Sequence, residues 1–216
     1  MLKLMIVSHK HRFIFIKTKK TAGTSIETFL ASVCGPTDII TEISEEKERQ
    51  SRYNISAQND TIPFTKYTLK DWGRLFIRGK RKKYHSHIDA KSASKYLGKK
   101  VWNNYYKFTI VRNPYDKAIS AYYWNNPNST DAESNFTNYI RSHCGTITKN
   151  WPIVSINDKF ALDSFVKYEA LPDDLEAVSK AIGLPDSVFH TMKDVQAKSQ
   201  FRPRNGLKKE DLHEDQ

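Results

Sequence analysis

Apolar and polar positions along this chain follow two spacings, and the places where one gives way to the other divide it into elements. Residues 5–7 and 13–16 are unbroken apolar runs separated by the polar Ser8-His9-Lys10-His11-Arg12. Runs this short, joined by a polar turn, read as buried strands. A helix is expected over 24–33, ended by Gly35-Pro36. Residues 89–97 read as a helix closed by Gly98, and 106–111 as a β-branched and aromatic strand. The next helix, 114–125, carries Pro114 in its first turn and Tyr115, Ala118, Ile119 and Tyr122 at helical spacing. Further helices are predicted over 131–143 and over 173–182, the second opened by Pro172 and closed by Gly183, with a strand over 164–168 before it. Strands alternating with helices predict a three-layer α/β fold, its central and mainly parallel sheet flanked by helices. Ligand sites in such folds lie at the carboxyl ends of the strands.

Composition narrows this picture. The chain has 216 residues, enough for one domain, which we place at 1–205 with 206–216 as a flexible tail. Residues 41–83 form a polar and basic insertion on the substrate side, long enough to hold a short helix or strand of its own. The net charge of +11 fits an anionic ligand, an acidic polymer, nucleic acid or a membrane surface, and does not choose among them. The basic run 78–83 reads either as a contact for an acidic acceptor or as a solvated loop. Cys34 and Cys144 make neither a disulfide framework nor a zinc site, and are expected to be buried small hydrophobes in a reducing compartment. No stretch approaches the ~20 apolar residues of a membrane span, and the polar residues 8–12 break the N-terminal run that a signal peptide would need.

The candidate chemistry lies between the elements. The apolar run 13–16 ends in Lys17-Thr18-Lys19-Lys20-Thr21-Ala22-Gly23, and Thr24-Ser25-Ile26 open the following helix. A strand, a loop rich in lysine and hydroxyls, and a helix N-terminus together attract anions. The loop is not a Walker A motif, which puts Gly first and Lys-Ser/Thr last; here Lys20 precedes Gly23. A second turn, Arg112-Asn113-Pro114, directly follows strand 106–111, and Ser120 lies eight residues after Arg112. That is roughly two helical turns, so Arg112 and Ser120 can converge on one phosphate.

Both segments resemble a known family. KTKKTAGTSIE (17–27) resembles the 5′-phosphosulfate loop of sulfotransferases, and VRNPYDKAISAYY (111–123) is similar to their 3′-phosphate motif. The stretch from His87 to Gly98, with residues 102–108, looks like the linking segment of the membrane-associated carbohydrate branch, and 165–171 resembles its later strand–helix unit. The likeness covers most of residues 5–205. It implies a P-loop-like fold and an enzyme that uses 3′-phosphoadenosine 5′-phosphosulfate (PAPS) as donor, without a metal. The implied acceptor is a hydroxyl, by resemblance that of a carbohydrate, acidic ones included; nucleic acid is not an implied partner. Eukaryotic relatives usually carry an N-terminal membrane anchor. None is visible here, so the expected protein is cytoplasmic and of bacterial or viral type, unless such an anchor has been removed.

The resemblance also implies roles. Lys20 would stabilise charge on the bridging oxygen, with Lys17 and Lys19 as rivals because three lysines lie within four positions. Thr21, Ala22, Gly23, Thr24 and Ser25 would bind the 5′-phosphate; Ala22 stands where many relatives have a second glycine. Arg112 and Ser120 would hold the 3′-phosphate, and Tyr168 would lie near the adenine. His87, eleven residues before Gly98, matches the histidine that removes the acceptor proton. His85 is its rival, and Glu27 is a carboxylate alternative. Asp89 either orients an imidazole or caps its helix. Lys198 and Arg202 are weaker candidates from the C-terminal loop. Two other functions compete: a P-loop-type nucleotide kinase, which the Lys/Gly order opposes, and a non-catalytic polyanion-binding module built on 78–83.

Overall fold

The two N-terminal apolar runs pair as a hairpin because the polar turn between them is too short for anything but an antiparallel return. The computed structural model describes residues 5–21, 23–42, 54–84, 88–126, 133–147, 149–185 and Leu207. In chain order the elements are β1 (Met5–Ser8), β2 (Phe13–Ile16), α1 (Gly23–Ser32), β3 (Ile39–Ile40), α2 (Leu69–Arg78), α3 (Ala90–Leu97), α4 (Lys99–Asn104) and β4 (Tyr106–Val111). They continue with α5 (Pro114–Asn125), α6 (Glu133–Ile147), α7 (Trp151–Val154), β5 (Ser155–Ile156), β6 (Lys159–Phe160), β7 (Ser164–Lys167) and α8 (Leu171–Ala181).

The main sheet has the order β3-β1-β2-β4-β7. β1 is antiparallel to both β2 and β3, whereas β2, β4 and β7 run parallel. The sheet is therefore mixed rather than mainly parallel; its parallel half carries both motif loops. Side chains alternate between its faces. Phe13, Phe15, Phe108, Ile110 and Val166 pack against Ile26, Phe29 and Leu30 of α1 and Leu175 and Val178 of α8. Met5, Val7, Ile14 and Ile16 pack on the other side against Ala90 and Ala93 of α3 and Ile153 and Val154 of α7. Helices thus cover both faces, as the three-layer reading expects. The rings of Phe13 and Phe15 lie 5.9 and 5.3 Å from that of Phe108, so Phe108→Ala would cost about 3–5 kcal/mol.

α5 and α6 form a separate apolar cluster through Ile119, Tyr122, Tyr123, Phe136 and Tyr139. Leu207 joins it, its N–H donating to the Tyr123 hydroxyl at 3.0 Å; the rest of 206–216 lies outside the described residues. The insertion does contain a helix, α2, while 43–53 lies outside the description. Cys34 is only half-buried; its thiol donates to the Leu30 carbonyl at 3.2 Å, and burial pushes its pKa up to about 12. The Cys144 side chain lies outside the described residues.

Candidate functional site

Loop 17–22 leaves the carboxyl end of β2 beside the end of β4, and buried hydroxyls stitch the two together. The Thr109 hydroxyl donates to the Ile16 carbonyl at 2.7 Å, and the Thr18 hydroxyl donates to the Ile110 carbonyl. Thr21 is buried, and its hydroxyl donates to the Thr18 carbonyl at 3.2 Å. From the opposite side Asn150, just before α7, grips Lys19: Oδ1 accepts the Lys19 N–H at 3.2 Å and Nδ2 donates to the Lys19 carbonyl at 3.3 Å. Lys20 is held with φ +58, in the left-handed region that costs a residue with a Cβ about 1–2 kcal/mol. The hydroxyl and amide clamps hold the loop in that shape. The Lys20 ammonium sits 4.0 Å above the centre of the Trp124 ring on α5.

The other candidates in this loop separate by partner. Lys17 donates to Glu27 at 2.9 Å, and the Glu27 side chain is fully buried. The Glu27 carboxylate is therefore committed to an internal ion pair, which weighs against it as an accessible base. Gly23, Thr24 and Ser25 open α1, whose first N–H groups lack intrahelical acceptors; the side chains of Thr24 and Ser25 lie outside the description.

The second motif folds as a capped turn. Asn113 is the N-cap of α5, its side chain accepting from the N–H groups of Tyr115 and Asp116 at 3.0 and 3.4 Å, with Pro114 at the first position. The turn is fastened to the end of β7, where Glu169 accepts the Asn113 N–H at 2.7 Å. Beside that contact the Arg112 guanidinium lies over the Tyr168 ring, 4.4 Å from its centre. The structure thus brings together two residues far apart in sequence to which the resemblance gives nucleotide roles. The buried Nε of Arg112 has no hydrogen-bond partner. Ser120 is half-buried two turns along α5.

Sequence reasoning missed Lys117. It lies on α5 among the buried Ala118, Ile119 and Ala121, is itself only 4% exposed, and has no carboxylate partner among the described residues. Burial, and then the charge of Lys19, push its pKa down to about 8. Its signal was a lysine in the apolar register of a helix. Trp124 and Asn150 carried no comparable signal.

His85, His87, Ala22, Lys198 and Arg202 lie outside the described residues. Asp89 is the N-cap of α3, accepting the Ser92 N–H at 2.8 Å, which is the capping role. Within the basic run, Lys82 pairs with Asp71 and Lys83 with Asp60, both at 2.8 Å. Those two lysines are structural. Among the described residues no group of three or more His, Cys, Asp or Glu could hold a metal ion, and no helix is long and apolar enough to cross a membrane.

Comparison with known proteins adds a family. A model described as the sulfotransferase family matches residues 3–215, nearly the whole chain. An uncharacterized protein of Archaeoglobus fulgidus is 30% identical over 95 residues, covering 43% of this chain and 79% of the relative. No solved structure matches this chain significantly.

Proposed function

Because the chain belongs to the sulfotransferase family, we propose that it transfers the sulfuryl group of PAPS to a carbohydrate hydroxyl and releases adenosine 3′,5′-bisphosphate. The observation that carries the reading is the buried Lys117 together with the half-buried Arg112, whose Nε is buried without a hydrogen-bond partner; neither has a carboxylate partner among the described residues. Burying an uncompensated cation costs several kcal/mol. A bound polyanion would supply the missing countercharge.

The residues divide the work as follows. Arg112 and Ser120 hold the 3′-phosphate, and the Tyr168 ring against the guanidinium marks the adenine side. The first N–H groups of α1, at Gly23, Thr24 and Ser25, bind the 5′-phosphate together with the backbone of Thr21 and Ala22. In this reading β2, loop 17–22 and helix α1 serve as a P-loop-like anion site, and Lys19 and Lys117, whose charges act on each other, add positive charge to it. The acceptor oxygen forms a bond to sulfur while the bond from sulfur to the bridging oxygen breaks. His87 takes the acceptor proton, with His85 as its rival. Lys20 leaves the Trp124 ring and stabilises the charge that grows on the bridging oxygen.

A transfer assay with PAPS against a panel of glycans, with mass detection of the product, tests this. Gain of one sulfuryl group by a glycan and release of adenosine 3′,5′-bisphosphate are expected. His87→Ala should cut transfer roughly 10²–10⁴-fold and leave nucleotide binding intact. Normal transfer by His87→Ala with an inactive His85→Ala would move the base to His85. Protection by ATP with magnesium, and none by the bisphosphate, would sink the donor assignment.

A further inference from the structure

Residues 58–84 fold back on themselves as a flap. Thr61 bridges Lys83, the Ile62 N–H donates to the Lys82 carbonyl at 2.9 Å, and the Tyr84 N–H donates to the Asp60 carbonyl at 2.7 Å. Helix α2 rides on this flap by one edge. Thr68 and Asp71 form a reciprocal capping box at its start, Lys82 pairs with Asp71, and Gly79 closes it with φ +60. Asp71 is the one residue of α2 that is buried.

Three apolar side chains of the helix face away, while Trp72 and Leu75 are half-buried. Leu69, Phe76 and Ile77 are 92%, 80% and 84% exposed, and Phe64 beside them is 44% exposed. Trp72 stacks between Phe64 and Phe76, with ring centres 5.4 and 6.1 Å apart. Leu69, Trp72 and Phe76 stand at helical spacing on one face, so these residues form a continuous patch rather than scattered surface hydrophobes. A basic stripe borders it. Lys70, Arg74 and Arg78 recur every fourth position along the flank of α2, Lys80 and Arg81 follow, and all five are exposed. The Arg81 guanidinium lies 4.5 Å from the centre of the Phe64 ring.

We propose that α2 and Phe64 form a docking surface for an anionic lipid membrane. The helix lies in the plane of the headgroups, its Leu69–Phe76–Ile77 face in the upper acyl layer and the basic stripe on lipid phosphates and carboxylates. A soluble polyanion supplies charge but no apolar phase for the exposed side chains. A second copy supplies an apolar face but brings the same basic stripe with it, on a chain of net charge +11. A membrane surface supplies both. The inference does not depend on the transferase reading.

Sedimentation of the full chain with vesicles tests it, comparing phosphatidylcholine alone with a phosphatidylserine-rich mixture. The protein should bind the anionic vesicles, more weakly at high salt. Phe76→Ser with Ile77→Ser should lower that affinity about tenfold or more without lowering Tm, since both side chains are exposed. Arg74→Gln with Arg78→Gln should lower it roughly 20–30-fold, about fivefold per charge, and leave binding to phosphatidylcholine unchanged. Brominated lipids should quench tryptophan emission in the wild type, and that quenching should disappear in Trp72→Phe. The proposal is overturned by absence of binding to anionic vesicles, or by binding that survives Phe76→Ser with Ile77→Ser undiminished, the mark of a simple polyanion contact. It is equally overturned by a dimer in light scattering that the same double variant abolishes, which would make the patch a self-interface.

Discussion

Two groups of cations in this molecule look alike in sequence and are treated oppositely by the fold. In the flap, Lys82 and Lys83 have carboxylates at 2.8 Å, and Lys82 holds the Asp71 carboxyl well below the usual carboxylate range. At the carboxyl ends of β2 and β4, Arg112 keeps a buried Nε without a partner and Lys117 lies buried beside another lysine. Both regions are lysine-rich. Basic charge alone therefore marks neither as a ligand site. What distinguishes them is whether the chain provides its own counterion: Lys82 and Lys83 have one, and Arg112 and Lys117 have none among the described residues, which is the ground of the proposed nucleotide site.

The comparison can be broken from either side. The largest effect is expected at Lys20. Lys20→Ala should lower turnover about 10²–10³-fold while changing affinity for adenosine 3′,5′-bisphosphate little, because the charge it meets grows only in the transition state. Unchanged turnover in this variant, with Lys19→Ala inactive, would shift the loop register by one residue.

Lys117→Met should weaken bisphosphate binding by about tenfold or more near neutral pH, by loss of a charge-assisted contact. The same substitution should raise Tm of the ligand-free protein, by about 2–4 °C for each kcal/mol relieved. The sign follows from the depressed pKa. The lysine titrates near 8 when folded and at its ordinary 10.5 when unfolded. The unfolded chain binds the extra proton between those values, so the cost is full below pH 8 and fades as pH rises toward 10.5. Wild-type affinity for the bisphosphate should fall above pH 8 by up to about tenfold per pH unit, and Lys117→Arg should flatten that limb. Calorimetric titration across pH 7–10 checks both. A variant that loses stability and keeps its affinity would place Lys117 among the paired, structural cations.

The smallest effect on nucleotide binding lies in the flap. Asp71→Asn removes the partner of Lys82 and weakens the α2 cap, and should cost about 1–3 kcal/mol in denaturant unfolding without touching nucleotide affinity. That contribution is present above the ordinary aspartate pKa and disappears as pH falls through the depressed one. Loss of nucleotide binding in Asp71→Asn would mean that the two regions are one site.

How much of this was legible in the sequence follows from local signals. β2, β4, α3 and α5 fall within a residue or so of their expected bounds, because unbroken apolar runs and the stops at Gly98 and Pro114 are strong and local. The antiparallel pairing of β1 with β2 was implicit in the short turn 8–12. α4, α7 and the β5–β6 hairpin were missed, since elements of two to six residues hold too little of any period to register. The site divided in the same way. Arg112 and Tyr168 came from contiguous motifs. Lys117 was hidden because a lysine on an amphipathic helix ordinarily reaches out to water, and only the packing of α5 shows that this one stays inside. The Asn150 clamp on Lys19 spans 131 positions and leaves no local trace.

The central claim is that Arg112 and its neighbours wait for a 3′-phosphate. Calorimetric titration of adenosine 3′,5′-bisphosphate and adenosine 5′-monophosphate into wild type and Arg112→Ala tests it most directly. The wild type should prefer the bisphosphate, and Arg112→Ala should erase that preference, a loss of about 1.5–3 kcal/mol or roughly 10–150-fold in Kd. Equal affinity of the wild type for both nucleotides, or a preference that survives Arg112→Ala, would contradict it.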